Sequence, residues 1–452
     1  MRTAAEYFAL GQEFLLQGNN KEAISALKKA LKREPDNLPL WNQAGALFQQ
    51  MGEWDEAAFC YRHIVHAAPA VPEASACLGN VLRAKGSLQD AAECFRRALQ
   101  LRPDHAAFHN SLAVTLREQG LVEEAVAEYR AALALQPDQA DVRWNLALLQ
   151  LLEGNYAEGW RNYEARWQRP NAPRCFPGPL WRGEPLQPAR ILLHSEQGLG
   201  DTIQFLRYVP LVEAAGGEVI LDLPPSLHSL AGHLVGDGNR RLSAGSPQDY
   251  DWQCPLMSLP LALGSTLETI PATVPYLRVP PEAGERAAGY PWPKDRLRIG
   301  LVWSGNPKNP GDRFRSIPLA EFQPLFDLPG VSFFSLQVGP GSQQIAAWSH
   351  KVTDLSEQVR ELDGLAACMQ QMDLVLTVDT LAAHLAGALG VPVLVLLAQI
   401  SDWRWMRNRE DSPWYPGLRL FRQTMGGAWR EVFERVRSEI EVQAKKSNFP
   451  RS

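Results

Sequence analysis

Pro35, Pro69, Pro103 and Pro137 stand 34 residues apart, and Gly18, Gly52, Gly86, Gly120 and Gly154 keep the same interval. So do Ala23, Ala57, Ala91 and Ala125, followed by Gly159. A large residue recurs four positions later, at Leu27, Tyr61, Phe95, Tyr129 and Tyr163. A period shared by independent positions leaves little choice of architecture: the first third of the chain must be a stack of like units, each burying its apolar face on its neighbours. The residue types specify the unit. Glycine at the turn permits a positive φ, and the small residue lets a second helix approach the first. The residue four positions on fills the seam, and proline ends the second helix.

This pattern resembles the tetratricopeptide repeat, with four full units over about 4–137 and a fifth reaching about Trp167, so residues 1–167 are expected to form a superhelix. Its concave face would carry Asn42, Gln49, Arg83, Asn110 and Arg117, with Trp144 in the last unit. Asparagine can hold a peptide backbone and arginine an acidic side chain, so a protein or peptide partner is expected. The same residues also read as a solvated polar helix face.

Lys+Arg of 45 against Asp+Glu of 50 gives a net charge of −5. That balance argues against a chain built to coat nucleic acid or an anionic membrane. The most apolar run, Leu385–Ile400, contains Gly387, Gly390 and Pro392 and is too short to span a bilayer. Glu6, Gln12 and Glu13 interrupt any secretory segment. Cys60, Cys77, Cys94, Cys175, Cys254 and Cys368 are scattered and read as reduced thiols. A cytoplasmic protein without a disulfide framework is expected.

Pro170, Pro173, Pro177, Pro179, Pro185 and Pro188 mark a linker over 168–189. It also carries Phe176, Leu180 and Trp181, so it should be docked rather than loose. Beyond it the pattern becomes strand–helix alternation, which implies parallel sheets with ligands at the strand C-termini. Strands are expected at 190–194, 218–223, 298–303, 331–336, 374–378, 392–397 and 418–421. Helices are expected from the loop after the first strand to about 215, at 319–326, 362–371 and 380–389, and at 428–444. A second proline-bearing connector falls at 279–296. The whole reads as α + α/β, with one Rossmann-like lobe over 190–285 and another over 297–445.

Two constellations carry chemistry. At Asp379-Thr380, an apolar strand gives way to a helix whose first N–H groups suit a phosphate, and His384 shares a face with Thr380. At Gly198-Leu199-Gly200-Asp201, glycines admit a substrate to the backbone beside a carboxylate. Each also has a plain reading, as helix caps and a core histidine. Asp249-Tyr250-Asp251 matches the D-x-D of metal-dependent transferases but lacks their context, and no metal is expected. Trp403, Trp405, Trp414 and Trp429 read as core between the last strand and the closing helix.

Strand–GD–helix followed by V-D-T-x-x-x-H-L-A-G-A-L-G-x-P resembles the ADP-heptose:lipopolysaccharide heptosyltransferases, glycosyltransferase family 9, of the GT-B fold. The strings at 196–205, 300–307, 315–319 and 411–416 resemble a bacterial group that joins tetratricopeptide repeats to such a domain. The order of parts is similar to that of the protein O-GlcNAc transferases. The resemblance implies a sugar moved from a nucleotide sugar to an acceptor hydroxyl, with inversion. Asp201 would be the general base, in a loop with Gln197, Gly198 and Gly200. Asp379, Thr380 and His384 would hold the donor diphosphate. Arg315 would add charge, with Arg313 and Lys308 as further cations. Gln337 would meet the nucleoside, and Ser304 and Asn306 would line the donor side. Leu381 departs from the glycine usual after D-T. The alternatives are a non-catalytic scaffold with a degenerate transferase domain, or a heptosyltransferase-like enzyme acting on a glycan.

Overall fold

The computed structural model describes residues 2–170, 172, 176–186, 189–234, 241–243, 249–309, 311–424 and 428–446. Cys175 and the side chain of Arg313 lie outside the described residues. The chain divides into two compact units, Met1–Leu149 and Gln150–Ser452. That division falls ahead of the expected end of the repeats at 167.

The first unit is a run of paired helices: α1 (Ala4–Leu16), α2 (Asn20–Arg33), α3 (Leu38–Met51), α4 (Trp54–Ala67), α5 (Pro72–Ala84), α6 (Leu88–Leu101), α7 (Ala106–Gln119) and α8 (Val122–Leu135). Helix α9 (Ala140–Leu152) crosses the division. Gly52 and Gly120 cap α3 and α7 with φ of 77° and 80°, a conformation that glycine alone holds without penalty. Ala23, Ala57, Ala91 and Ala125 are fully buried. A further register serves the seam. A Cβ on Gly45 or Gly79 would lie 2.9 Å from the ring of Tyr61 or Phe95, so each ring sits directly on backbone.

The second unit opens with α10 (Tyr156–Tyr163) and contains two parallel sheets. The first holds β1 (Ala189–His194), β2 (Gly217–Asp222), β3 (Arg241–Ser243) and β4 (Trp252–Pro255) in the order β3-β2-β1-β4. Helices α11 (Leu199–Phe205), α12 (Val209–Ala214), α13 (His228–Ala231) and α14 (Leu259–Ala262) accompany it, and α15 (Pro281–Ala288) follows. The second sheet holds β5 (Leu297–Val302), β6 (Val331–Ser335), β7 (Val352–Asp354), β8 (Leu374–Val378), β9 (Val393–Leu397) and β10 (Leu418–Arg422), in the order β10-β9-β8-β5-β6-β7. With it run α16 (Asp312–Arg315), α17 (Leu362–Gln370), α18 (Leu381–Ala388) and α19 (Trp429–Lys446).

Strands β8 and β9 are buried along their whole length, as strands covered on both faces must be. The docked linker is tied to the edge strand. Trp181 N–H donates to the Gln253 carbonyl and Gln253 N–H to the Pro179 carbonyl, while Trp181 itself is buried.

Several expectations need correction. Strands β3, β4 and β7 were not expected; each is short, at three or four residues. The helix expected to run to 215 is broken by a 3-10 turn at Leu206–Tyr208, with Pro210 in the first turn of α12. The helix expected at 319–326 is 3-10 throughout, with Pro324 inside it. The connector at 279–296 contains α15, which starts on Pro281, where a missing N–H costs nothing. Ala283 and Ala287 of α15 pack against Ala367 of α17, so α15 runs across the expected boundary at 285.

Candidate functional site

In an open parallel sheet, the loops diverge where the strand order reverses, and that gap accepts ligands. In the larger sheet the reversal lies between β5 and β8. In the smaller it lies between β1 and β4. A cavity of about 770 Å³ occupies this ground, bounded by the loop after β1 and the loops after β5, β6, β8 and β9. Gln197, Gly198, Gly200, Asp201, Ser304, Asn306, Arg315, Gln337, Asp379, Thr380 and His384 all line it, whereas Lys308, expected as a further cation, does not.

Asp201 sits in the first turn of α11. One carboxylate oxygen accepts the Gly198 N–H at 3.0 Å and the other accepts Arg404 Nη2 at 2.5 Å. The N-cap is Gly198 rather than Asp201, which sits at the third helical position, bonds back to the Gly198 N–H and remains on the cavity wall. Gly200 is pressed against α18: a Cβ there would lie 3.2 Å from His384 Cδ2 and 3.6 Å from Leu381 Cα. Gln197 is turned to Tyr163, whose hydroxyl accepts its amide at 3.1 Å.

Thr380 caps α18, its hydroxyl accepting the Ala382 N–H at 3.3 Å. Asp379 retains some accessible surface on the cavity wall, yet its carboxyl is crowded by protein. Burial, helped by the negative charge of Asp402, pushes it up to about 6, against the pull of Trp405, Arg315 and Arg404. His384 is buried. Its Nδ1 is 3.0 Å from the Tyr415 hydroxyl and its ring stacks on Trp405 at 5.2 Å. Burial, with Arg404 and Arg207 nearby, holds it well below the usual histidine range, so it is neutral and offers a phosphate no positive charge.

Gln337 corrects an expectation. Its oxygen accepts the N–H groups of Trp303 and Ser304, each at 2.9 Å, and its nitrogen donates to the carbonyls of Ser304 and Val338. The amide is spent on tying two loops together and cannot read a base. Ser304 Oγ is buried with no hydrogen-bond partner among the described residues. Asn306 accepts the Lys308 N–H in a local turn. Arg315 pairs with Asp312 at 3.1 Å. Gly305 makes room for that pair, since a Cβ there would meet Asp312 Oδ1 at 2.4 Å.

Arg404 is the residue that sequence reasoning missed. It donates to Gln204, Asp402 and Asp201 at 2.8, 2.7 and 2.5 Å, and its guanidinium lies 4.2 Å from the Trp403 ring centroid. Its only signal in the sequence is the Trp-Arg-Trp run at 403–405, which reads as core. Only Trp429 packs where expected, on the core under α19. Trp403 and Trp414 instead meet Trp160 and Phe205, joining α10 to α11. The D-x-D aspartates are engaged too, Asp249 and Asp251 both flanking Arg190, and β4 begins immediately after them. Among the described residues no cluster of His, Cys, Asp and Glu could hold a metal ion. No helix among them is long and apolar enough to cross a membrane.

In the repeat unit, Arg83 pairs with Glu118 at 3.0 Å and Arg117 donates to Asn145 at 3.1 Å, each bond linking successive repeats. Gln49 accepts the Tyr61 hydroxyl at 2.8 Å. Asn42 is exposed. Asn110 Oδ1 is buried with no hydrogen-bond partner among the described residues.

Sequence models of the tetratricopeptide repeat match residues 14–80, 78–140 and 122–173. The N-terminal part is thus built of tetratricopeptide repeats, a module of protein interaction, followed by a parallel-sheet region with helices. Protein FlbA of Caulobacter vibrioides is 28% identical over 322 residues, 64% of this chain and 52% of FlbA. The chain therefore spans about half the length of that curated relative. Among solved structures, MamA is 21% identical with a TM-score of 0.33, over 36% of this chain and 90% of MamA. Pseudomonas aeruginosa PilF is 22% identical with a TM-score of 0.32, over 36% of this chain and 75% of PilF.

Proposed function

We propose that the parallel-sheet unit is a GT-B glycosyltransferase, moving a sugar from a nucleotide-sugar donor to an acceptor hydroxyl on a protein or peptide that the repeats recruit in the cytoplasm. The observation that carries this reading is a shared wall: Asp201 and the start of α18 border one cavity, although 178 positions separate Asp201 from Asp379. Its volume, about 770 Å³, lies in the range of small-molecule sites.

The chemistry asks for two things. An acceptor hydroxyl must lose its proton as it attacks the anomeric carbon, and a carboxylate at the cavity wall serves that need. The bond from that carbon to the diphosphate must break, the electron pair leaving with the nucleoside diphosphate. The positive end of α18 and the guanidinium groups of Arg315 and Arg404 are suited to stabilise that developing charge. Direct attack opposite the leaving group would invert the anomeric centre.

The scaffold reading draws on a specific observation as well: Gln337 and Thr380 spend their polar side-chain atoms inside the protein, and His384 pairs its Nδ1 with Tyr415. Asp201→Asn separates the two. On the transferase reading it abolishes transfer with no loss of nucleotide affinity. If the native chain turns over no nucleotide sugar with any protein acceptor and binds no nucleoside diphosphate, the scaffold reading stands.

A further inference from the structure

The cavity holds more acid than base. Asp201, Asp379 and Asp402 border it, against Arg315 and Arg404, and Arg315 already faces Asp312. A diphosphate entering this space needs a cation, yet both guanidinium groups are held by carboxylates. Arg404 is held twice, by Asp402 and by Asp201. The contact to Asp201 joins the loop after β1 to the segment after β9, 203 positions apart in sequence. Both oxygens of the Asp201 carboxylate are engaged, one by the Gly198 N–H and the other by Arg404. In the ligand-free protein the proposed base is therefore masked by the residue best placed to receive the donor.

We infer that Arg404 is an exchange residue: it holds Asp201 in the free protein, and the phosphate groups of the donor compete for it and release the carboxylate. This inference rests on the transferase reading. The exchange is one of side chains. Arg422 donates to the carbonyls of Trp405 and Met406, at 3.2 and 2.7 Å, and pins the backbone that carries Arg404. Asp402 also accepts the Arg404 backbone N–H at 3.0 Å, so it keeps a link to this segment when Asp201 is displaced. The arrangement ties base activation to donor occupancy, so an acceptor hydroxyl arriving first would meet a carboxylate already held by Arg404. Arg404 would touch the leaving diphosphate directly, while Gln204, bonded to Arg404 Nε, keeps the guanidinium in register.

The test is calorimetric titration of the full chain with inorganic pyrophosphate near neutral pH. The native chain should bind. Asp201→Asn removes the competitor for Arg404 and should tighten binding several-fold. Arg404→Gln should weaken it by about tenfold or more, the scale of one charge-assisted hydrogen bond. In the Arg404→Gln background, Asp201→Asn should change nothing. Asn keeps an oxygen for the Gly198 N–H, so the single substitution at 201 carries the test even if Arg404→Gln fails to fold. Pyrophosphate binding that Asp201→Asn leaves unchanged or weakens would overturn the exchange and leave the transferase reading standing. A native chain that binds neither pyrophosphate nor ADP, UDP or GDP would overturn both.

Discussion

Arg166 and Glu196 form an ion pair with two N–H···O contacts of 2.9 Å each, and neither side chain reaches solvent appreciably. Arg166 stands just beyond the last repeat helix, and Glu196 opens the loop that leads to Asp201. Ser258 and Glu164 complete the cluster on the Arg166 guanidinium. The loop bearing the proposed base is thus held by residues that the sequence pattern assigns to the repeats.

Arg166→Met should strand a buried carboxylate, and removing one partner of such a pair costs about 3–5 kcal/mol. Urea denaturation should record that loss. Burial already pushes the Glu196 carboxyl up, more than Arg166 draws it down. Without Arg166 it should take up a proton more readily still. The defect should therefore shrink as pH falls toward 5, and Arg166→Met combined with Glu196→Gln should recover much of the stability.

Asp379 sets a second pH dependence. Its folded value is about 6 against an ordinary 3.8, so the folded chain binds more protons than the unfolded chain between these values. The stabilising contribution is complete below about 4 and is lost as pH rises through 6. Asp379→Asn should therefore gain stability relative to the native chain as pH rises from 4 to 7. Parallel melting curves across that range check it.

Gly387 lies under Tyr415, and a Cβ there would come within 2.5 Å of the ring. Gly387→Ala should displace Tyr415 and break its contact with His384. Overpacking of this kind costs about 1–3 kcal/mol. A lowered melting temperature, together with a shifted His384 ring signal in NMR, is the expected result.

Arg83 and Arg117 bond to neighbouring repeats rather than projecting freely. Replacing both with Ala should weaken capture of an acidic peptide. It should change stability only modestly, because partly exposed pairs contribute about 0–1 kcal/mol each. Fluorescence anisotropy with a labelled acidic peptide and a melting curve together separate the two effects.

The repeats and the Asp379–Thr380 junction were legible because each imposes a period or a boundary on the sequence. Gly52 must adopt a positive φ, and β8 must be apolar on both faces. Arg404 was not legible, because its partners Asp201 and Gln204 are distant in sequence and only folding assembles them. Gln337 was misread for a related reason: its position after β6 was visible, but the four main-chain groups that occupy its amide were not. Strand β4 escaped notice because four residues, Trp252–Pro255, offer too little alternation to read. The Trp403 and Trp414 cluster was assigned to the nearest helix in sequence, whereas its packing partners come from α10 and α11.

Calorimetric titration of the full chain with ADP, UDP and GDP puts the central proposal at risk most directly. The account expects one of the three to bind, with affinity tightened in Asp201→Asn and reduced in Arg404→Gln. Failure of all three to bind the native chain would contradict it and leave only the repeats with a role.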